Sequence, residues 1–207
     1  MLRRPILVCV LAASLGALPA ALAAQEGAGQ GATAQDSAEF LVAGRTPVVC
    51  TLTSGPGSGD GFNNFSSADR NVYRVDQMID AATLSTRAAS FELTLNGVCN
   101  TAHRIRMESL NNGLWQLSET PPTRPAGFGT AVPYDLTARW TDQVVQISAD
   151  AAIRQPRERS VPIARPASGD LRLRFEILAG ATNLSANAPM VSGAYSDTLT
   201  IILEPQQ

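Results

Sequence analysis

Gly193-Ala194-Tyr195-Ser196-Asp197-Thr198-Leu199-Thr200-Ile201-Ile202-Leu203 opens on a turn residue and then alternates with a period of two. Tyr195, Leu199, Ile201 and Leu203 fall on one face; Ser196, Thr198 and Thr200 fall on the other. Successive side chains of a strand point to opposite faces, so a β-branched run with this alternation suits a half-buried strand. The sequence ends four residues later, so covering the second edge of this strand is expected to fall to earlier segments or to another molecule. An open apolar edge is either a hazard or a docking site, and the docking site is the expectation here.

The same alternation recurs upstream. Phe91, Leu93 and Leu95 interleave with Glu92, Thr94 and Asn96 in the strand from Ser90 to Cys99. Leu171, Leu173, Phe175 and Ile177 interleave with Arg172, Arg174 and Glu176, and Tyr134, Leu136, Ala138 and Trp140 share a face. Val144 to Ile147 reads as a further strand, and Val72 to Val75 as a short one. His103 to Leu110 and Leu114 to Leu117, joined by Asn111-Asn112-Gly113, read as a β-hairpin. Met78 to Ala89 is open between a weak helix and a loop. Pro156, Pro162 and Pro166 confine Arg154 to Pro166 to an edge, and Pro121, Pro122 and Pro125 make a rigid connection. Many short strands, close turn signals and no long helical period predict an all-β sandwich.

Met1-Leu2-Arg3-Arg4, an apolar run to Leu22 broken by Pro5, Gly16 and Pro19, and the small residues near Ala23 predict a secretory signal over residues 1–23. The rival, a membrane span, is disfavoured by those breaks, so no stable membrane insertion is expected after cleavage. Residues 24–37 read as a flexible tail and residues 38–207 as one domain, about 180 residues with the tail, enough for a sizeable core. Losing Arg3 and Arg4 leaves 14 basic against 18 acidic residues, a net charge of −4. That balance gives no reason to expect nucleic-acid binding.

Cys9 leaves with the signal, so Cys50 and Cys99 remain in an oxidising compartment and are expected to pair, a bridge worth up to ~4 kcal/mol. Metal binding by these cysteines competes poorly, with His103 the only histidine. His103 is read as a solvent-facing strand end, and no serine or cysteine sits in a nucleophile context. Glu92, Glu108 and Glu176 could supply a carboxylate pair but lie on polar strand faces. Ser54 to Asn63 lacks the setting of a phosphate-binding loop and reads as a surface turn. Asn64-Phe65-Ser66 and Asn183-Leu184-Ser185 match a glycosylation pattern. No catalysis and no cofactor are expected.

Cys50, Cys99, the Pro133-Tyr134-x-Leu136 element, Gly169-Asp170 before an alternating strand, and the terminal motif from Gly193 to Ile201 together resemble the spore coat protein U domain family. That family includes subunits of archaic chaperone–usher pili. The resemblance runs over residues 38–204; a Phe-Gly element between the cysteines is missing and the segment after Trp140 departs from the pattern. It implies an immunoglobulin-like β-sandwich lacking its last strand and completed by a donor strand. It further implies export to the periplasm, a periplasmic chaperone, an outer-membrane usher and other pilus subunits as partners, and a final place in a cell-surface fimbrium or outside the cell.

In that scheme Tyr195, Leu199, Ile201 and Leu203 form the acceptor groove, and the segment before the first cysteine, with Phe40, Val42 and Val48, is the donor. Gly44 and Pro47 make it a poor donor, which places the subunit at a fibre end. The alternative is a free-standing secreted binding module or coat protein of the same fold, completed by its own chain.

Overall fold

The structure, a computed structural model, describes residues 38–53, 61–69, 71–117 and 125–206. The expected leader and tail, most of the glycine-rich turn and Pro121-Pro122 lie outside the described residues. The chain divides into two units at Gly44, and residues 45–207 contain the folded body. Residues 38–49 carry no strand. Among the described residues no helix is long and apolar enough to cross a membrane.

The body is all-β. Its strands are β1 (Cys50–Thr53), β2 (Phe65–Asp69), β3 (Val72–Val75), β4 (Ala89–Cys99), β5 (His103–Ser109), β6 (Leu114–Gln116) and β7 (Ala131–Val132), followed by β8 (Tyr134–Trp140), β9 (Gln143–Ala149), β10 (Arg157–Ile163), β11 (Ala167–Ile177), β12 (Tyr195–Ser196) and β13 (Leu199–Pro205). One sheet runs β1-β4-β11-β8-β9; opposite it lie β10-β5-β13 and β12-β6-β7, while β2 and β3 pair only with each other.

β11 takes the centre because its inward residues Leu171, Leu173, Phe175 and Ile177 are all buried, and its ladder is free of proline. In register, Phe175 lies between Phe91 and Leu136, and Leu173 between Leu93 and Ala138. Ile105 and Met107 of β5, fully buried, answer them from the second sheet. Each such side chain contributes about 1.5–3 kcal/mol, so the alternation itself fixes the register. A one-residue slip would turn all of them to solvent. β10, with Pro162, pairs only with β5 and is an edge strand.

Three local expectations are corrected. The first concerns the expected hairpin: β6 does not fold back on β5 but pairs with β7 and β12. Asn112 and Gly113 take φ of 54° and 140°. Their bend is captured by the next connection, because Asn112 Nδ2 donates to Asp150 Oδ1 at 2.6 Å and the Ala151 N–H donates to the Asn112 carbonyl at 2.8 Å. The chain therefore bends and continues rather than reversing.

The second correction concerns the terminal run, which is two strands rather than one. β12 pairs with β6 and β13 with β5, parted at Asp197 and Thr198, so residues 103–116 and 195–205 form one long bent ribbon. Third, His103 is fully buried. It stands in phase with Ile105 and Met107 and so faces inward; Trp140 Nε1–H donates to its Nε2 at 2.9 Å, and its Nδ1–H donates to the Thr101 carbonyl at 2.9 Å. The open segment from Met78 is a loop up to β4, carrying one bridge from Ile79 to Thr86.

Candidate functional site

The two long sides of the sandwich differ. On one side β9 and β10 pack together. On the other, β13 hydrogen-bonds to β5 alone, and β1 runs beside it near the disulfide without a ladder between them. β1 is only four residues long, covering β4 from Cys99 to Asn96. Beyond Thr53 nothing described pairs with the free edge of β13.

That gap is a cavity of about 580 Å³. Its floor is the inner face of the large sheet: Phe91, Leu93 and Leu95 of β4, Leu173 and Phe175 of β11, Tyr134 and Leu136 of β8. Leu199 and Ile201 of β13, with Leu114, form one wall. Leu52 of β1 and Phe65, Asn71, Val72 and Tyr73 of the β2–β3 hairpin form the other. Aromatic rings stack across this end: Tyr73 on Phe91 with centroids 4.7 Å apart, Phe91 on Phe175 at 5.2 Å, and Tyr134 tilted against Phe175 at 4.6 Å. The hairpin is held at its base by Asn64, whose Nδ2 donates to the carbonyls of Gln77 and Ala88 at 2.8 and 3.1 Å.

Asp197 closes the aromatic end. Its carboxylate accepts the Tyr134 hydroxyl and the Ser109 hydroxyl at 2.6 Å each, the backbone N–H groups of Asn111, Gly113 and Thr198, and Asn111 Nδ2. Burial, then the bond to Asp197, pushes the Tyr134 phenol well above the usual range. A carboxylate so saturated anchors the strand break and has little capacity left for chemistry. The signal for it was an acid interrupting the alternating run Tyr195-Ser196-Asp197-Thr198-Leu199. The hairpin's aromatic rings are the other part of the site that sequence reasoning missed.

Of the four expected groove residues, the structure places Leu199 and Ile201 in the cavity wall. Leu203 is buried further along, its Cδ1 beside Gly97. Tyr195 lies on β12, where its hydroxyl donates to the Val191 carbonyl at 2.5 Å and burial pushes its phenol up to about 12. Cys50 and Cys99 form the expected disulfide, directly opposite one another in the β1–β4 ladder.

Phe40, Val42 and Val48, the expected donor residues, are 85%, 93% and 65% exposed. The backbone around Val48 is tied down: Asn100 Nδ2 donates to the Pro47 carbonyl at 2.7 Å, and the Val49 N–H donates to Asn100 Oδ1 at 2.8 Å.

The remaining polar candidates have structural partners. Arg174 lies 3.6 Å from Glu92 and 3.4 Å from Glu176, and Arg106 3.4 Å from Glu108. Asn183 Nδ2 donates to Thr130 Oγ1 at 3.2 Å, so the amide nitrogens of both glycosylation-pattern asparagines are already engaged. Among the described residues, no three His, Cys, Asp or Glu side chains are grouped to hold a metal ion. No protein-family model matches the chain, and no curated protein matches it.

Proposed function

We propose that this protein is an exported structural or adhesive subunit of a chaperone–usher type pilus or surface coat, an incomplete immunoglobulin-like sandwich that takes a β-strand from another chain. The observation carrying this reading is the free edge of β13 above an apolar cavity. An added strand would hydrogen-bond to that edge and bury alternate side chains against Leu199, Ile201 and the β4 leucines, so backbone bonds supply affinity and side-chain fit supplies selectivity. Such a protein acts without catalysis or cofactor. It passes through the periplasm on a chaperone, is assembled by an outer-membrane usher and ends at the cell surface.

A second reading, a free-standing secreted module completed by its own chain, draws on the β2–β3 hairpin, which already supplies part of the cavity wall. The experiment compares Ile201→Asp with Thr200→Asp in the full chain, co-expressed with a periplasmic chaperone and an outer-membrane usher of the chaperone–usher class. Ile201 faces the cavity and Thr200 faces solvent. Ile201→Asp places a charge in the strand interface and should abolish chaperone co-purification and fibre formation. Thr200→Asp stands opposite Glu108 and should cost at most ~1 kcal/mol. Equal recovery of both variants, or a wild-type chain that accumulates as a stable monomer without partners, would overturn the subunit reading.

A further inference from the structure

We infer that Asn112-Gly113 is a modification site: the pair deamidates spontaneously in the unfolded chain, the fold shields it, and its acidic product cannot re-enter the native bend. The chain thus carries a one-way marker of time spent unfolded, whatever its partners.

The sequence contains two Asn-Gly pairs, Asn96-Gly97 and Asn112-Gly113. In such a pair the glycine backbone nitrogen, its proton lost to solvent, attacks the asparagine side-chain carbonyl carbon. The new C–N bond closes a succinimide ring, and the side-chain nitrogen leaves as ammonia. Water then opens the ring at one carbonyl or the other, giving aspartate or isoaspartate. Glycine favours the closure because, without Cβ, its backbone reaches conformations that other residues resist.

In the folded chain the reacting groups of Asn112-Gly113 are held by other partners. Asn112 is 2% exposed. Its Nδ2 donates to Asp150 Oδ1 at 2.6 Å and to the Ile153 carbonyl at 3.3 Å, and its Oδ1 accepts the Asp150 N–H at 3.2 Å. The Gly113 N–H donates to Asp197 Oδ2 at 3.4 Å. A Cβ on Gly113 would lie 2.7 Å from Ala151 Cβ, so the bend has no room to rearrange. Asn96 is shielded differently. Its side chain is exposed, but Gly97 is fixed in extended backbone between Leu52 and Gly169.

The aspartate products differ in consequence. At residue 112 an oxygen replaces the Nδ2 donor and meets two acceptors, Asp150 Oδ1 and the Ile153 carbonyl, where water does not screen them. The Ala152 N–H, then the Asn112 amide, hold the Asp150 carboxyl below its ordinary range, so a full negative charge faces the new one. Arg157 Nη1, 3.1 Å from Asp150, lies on its other oxygen. At residue 96 the product stands opposite Asp170, and both side chains are exposed, so solvent screens the repulsion. Isoaspartate lengthens the backbone and disturbs either place.

The test is peptide mapping by mass spectrometry of the mature chain, disulfide intact, aged in mildly alkaline buffer with and without urea. Arg104 and Arg106 separate the two sites, so cleavage at arginine reports each one. In urea Asn112 should deamidate about as fast as Asn96; in the native chain it should do so at least about a hundredfold more slowly. After urea is removed, chains modified at residue 112 should stay in the unfolded fraction while unmodified chains refold. For the aspartate form alone, Asn112→Asp should lower the folded-to-unfolded ratio by about a hundredfold or more, and Asn96→Asp by no more than about fivefold. Adding Asp150→Asn to Asn112→Asp again sets an amide against a carboxylate and should recover about tenfold of that loss, which a position merely intolerant of change would not show. Equal deamidation of native and unfolded chains at Asn112 would overturn the inference. So would chains modified there that refold like unmodified ones, or an exchanged pair that recovers nothing.

Discussion

The Tyr134 hydroxyl donates to Asp197 Oδ2 at 2.6 Å, joining the first residue of β8 to the break between β12 and β13. Ser109 Oγ donates to the same oxygen at 2.6 Å and accepts the Asn112 N–H at 2.9 Å. The carboxylate thus ties together both bends of the long ribbon and the sheet it packs against.

Replacing the two partners should therefore have unequal effects. Tyr134→Phe removes one bond and keeps the ring on Phe175, costing about 1–2 kcal/mol. Asp197→Ala leaves Ser109, Asn111, Gly113 and Thr198 with donors to satisfy elsewhere and should cost on the order of 3 kcal/mol or more. Urea unfolding of the two variants checks the order. Equal midpoints would show that the carboxylate does not hold the bends.

The alkaline limit of stability follows from the tyrosines. The sequence has three, Tyr73, Tyr134 and Tyr195, and burial raises all three phenols, Tyr195 to about 12. A folded-state value raised above the unfolded value of about 10 leaves stability unaffected below pH ~10. Above it the unfolded chain loses protons that the folded chain keeps, and stability falls as pH rises through the folded values. Ultraviolet titration of tyrosinate in the native protein should lag the denatured protein throughout this window. Coincident titration curves would contradict the burial of these rings.

Much of the sandwich is legible in the sequence because a two-residue period is a local property. The inward residues of β4, β8 and β11 can be picked out without knowing their partners. Pairing is another matter. Asn111-Asn112-Gly113 is a reversal signal taken alone, and partners distant in the sequence, Asp150 and Ala151 on one side and Asp197 on the other, turn it into a bend. His103 was misplaced for a related reason: a polar residue in phase with Ile105 and Met107 can face inward only if a distant residue satisfies it, and Trp140 does so. The apolar terminal edge was visible in Leu199 and Ile201. The packing of Trp140 and Leu203 over Gly97 was not, because it is a contact among three strands.

That contact yields the last prediction. Gly97 and Gly169 stand opposite each other in the β4–β11 ladder, yet for different reasons. Gly169 has φ of 133° with open space around its Cα, so Gly169→Ala should cost about 1 kcal/mol through backbone strain alone. Gly97 is not among the positive-φ residues; it is needed because the Trp140 ring and Leu203 lie on it. Gly97→Ala should cost about 1–3 kcal/mol through overpacking, and should also change the near-ultraviolet circular dichroism of Trp140. A double-mutant cycle separates the two cases. Trp140→Phe is itself destabilising, since it leaves His103 Nε2 without its donor, but it frees space above Gly97. In that background most of the Gly97→Ala penalty should vanish while the Gly169→Ala penalty stays. An undiminished Gly97→Ala penalty would mean that the Trp140 ring does not fill the space above Gly97.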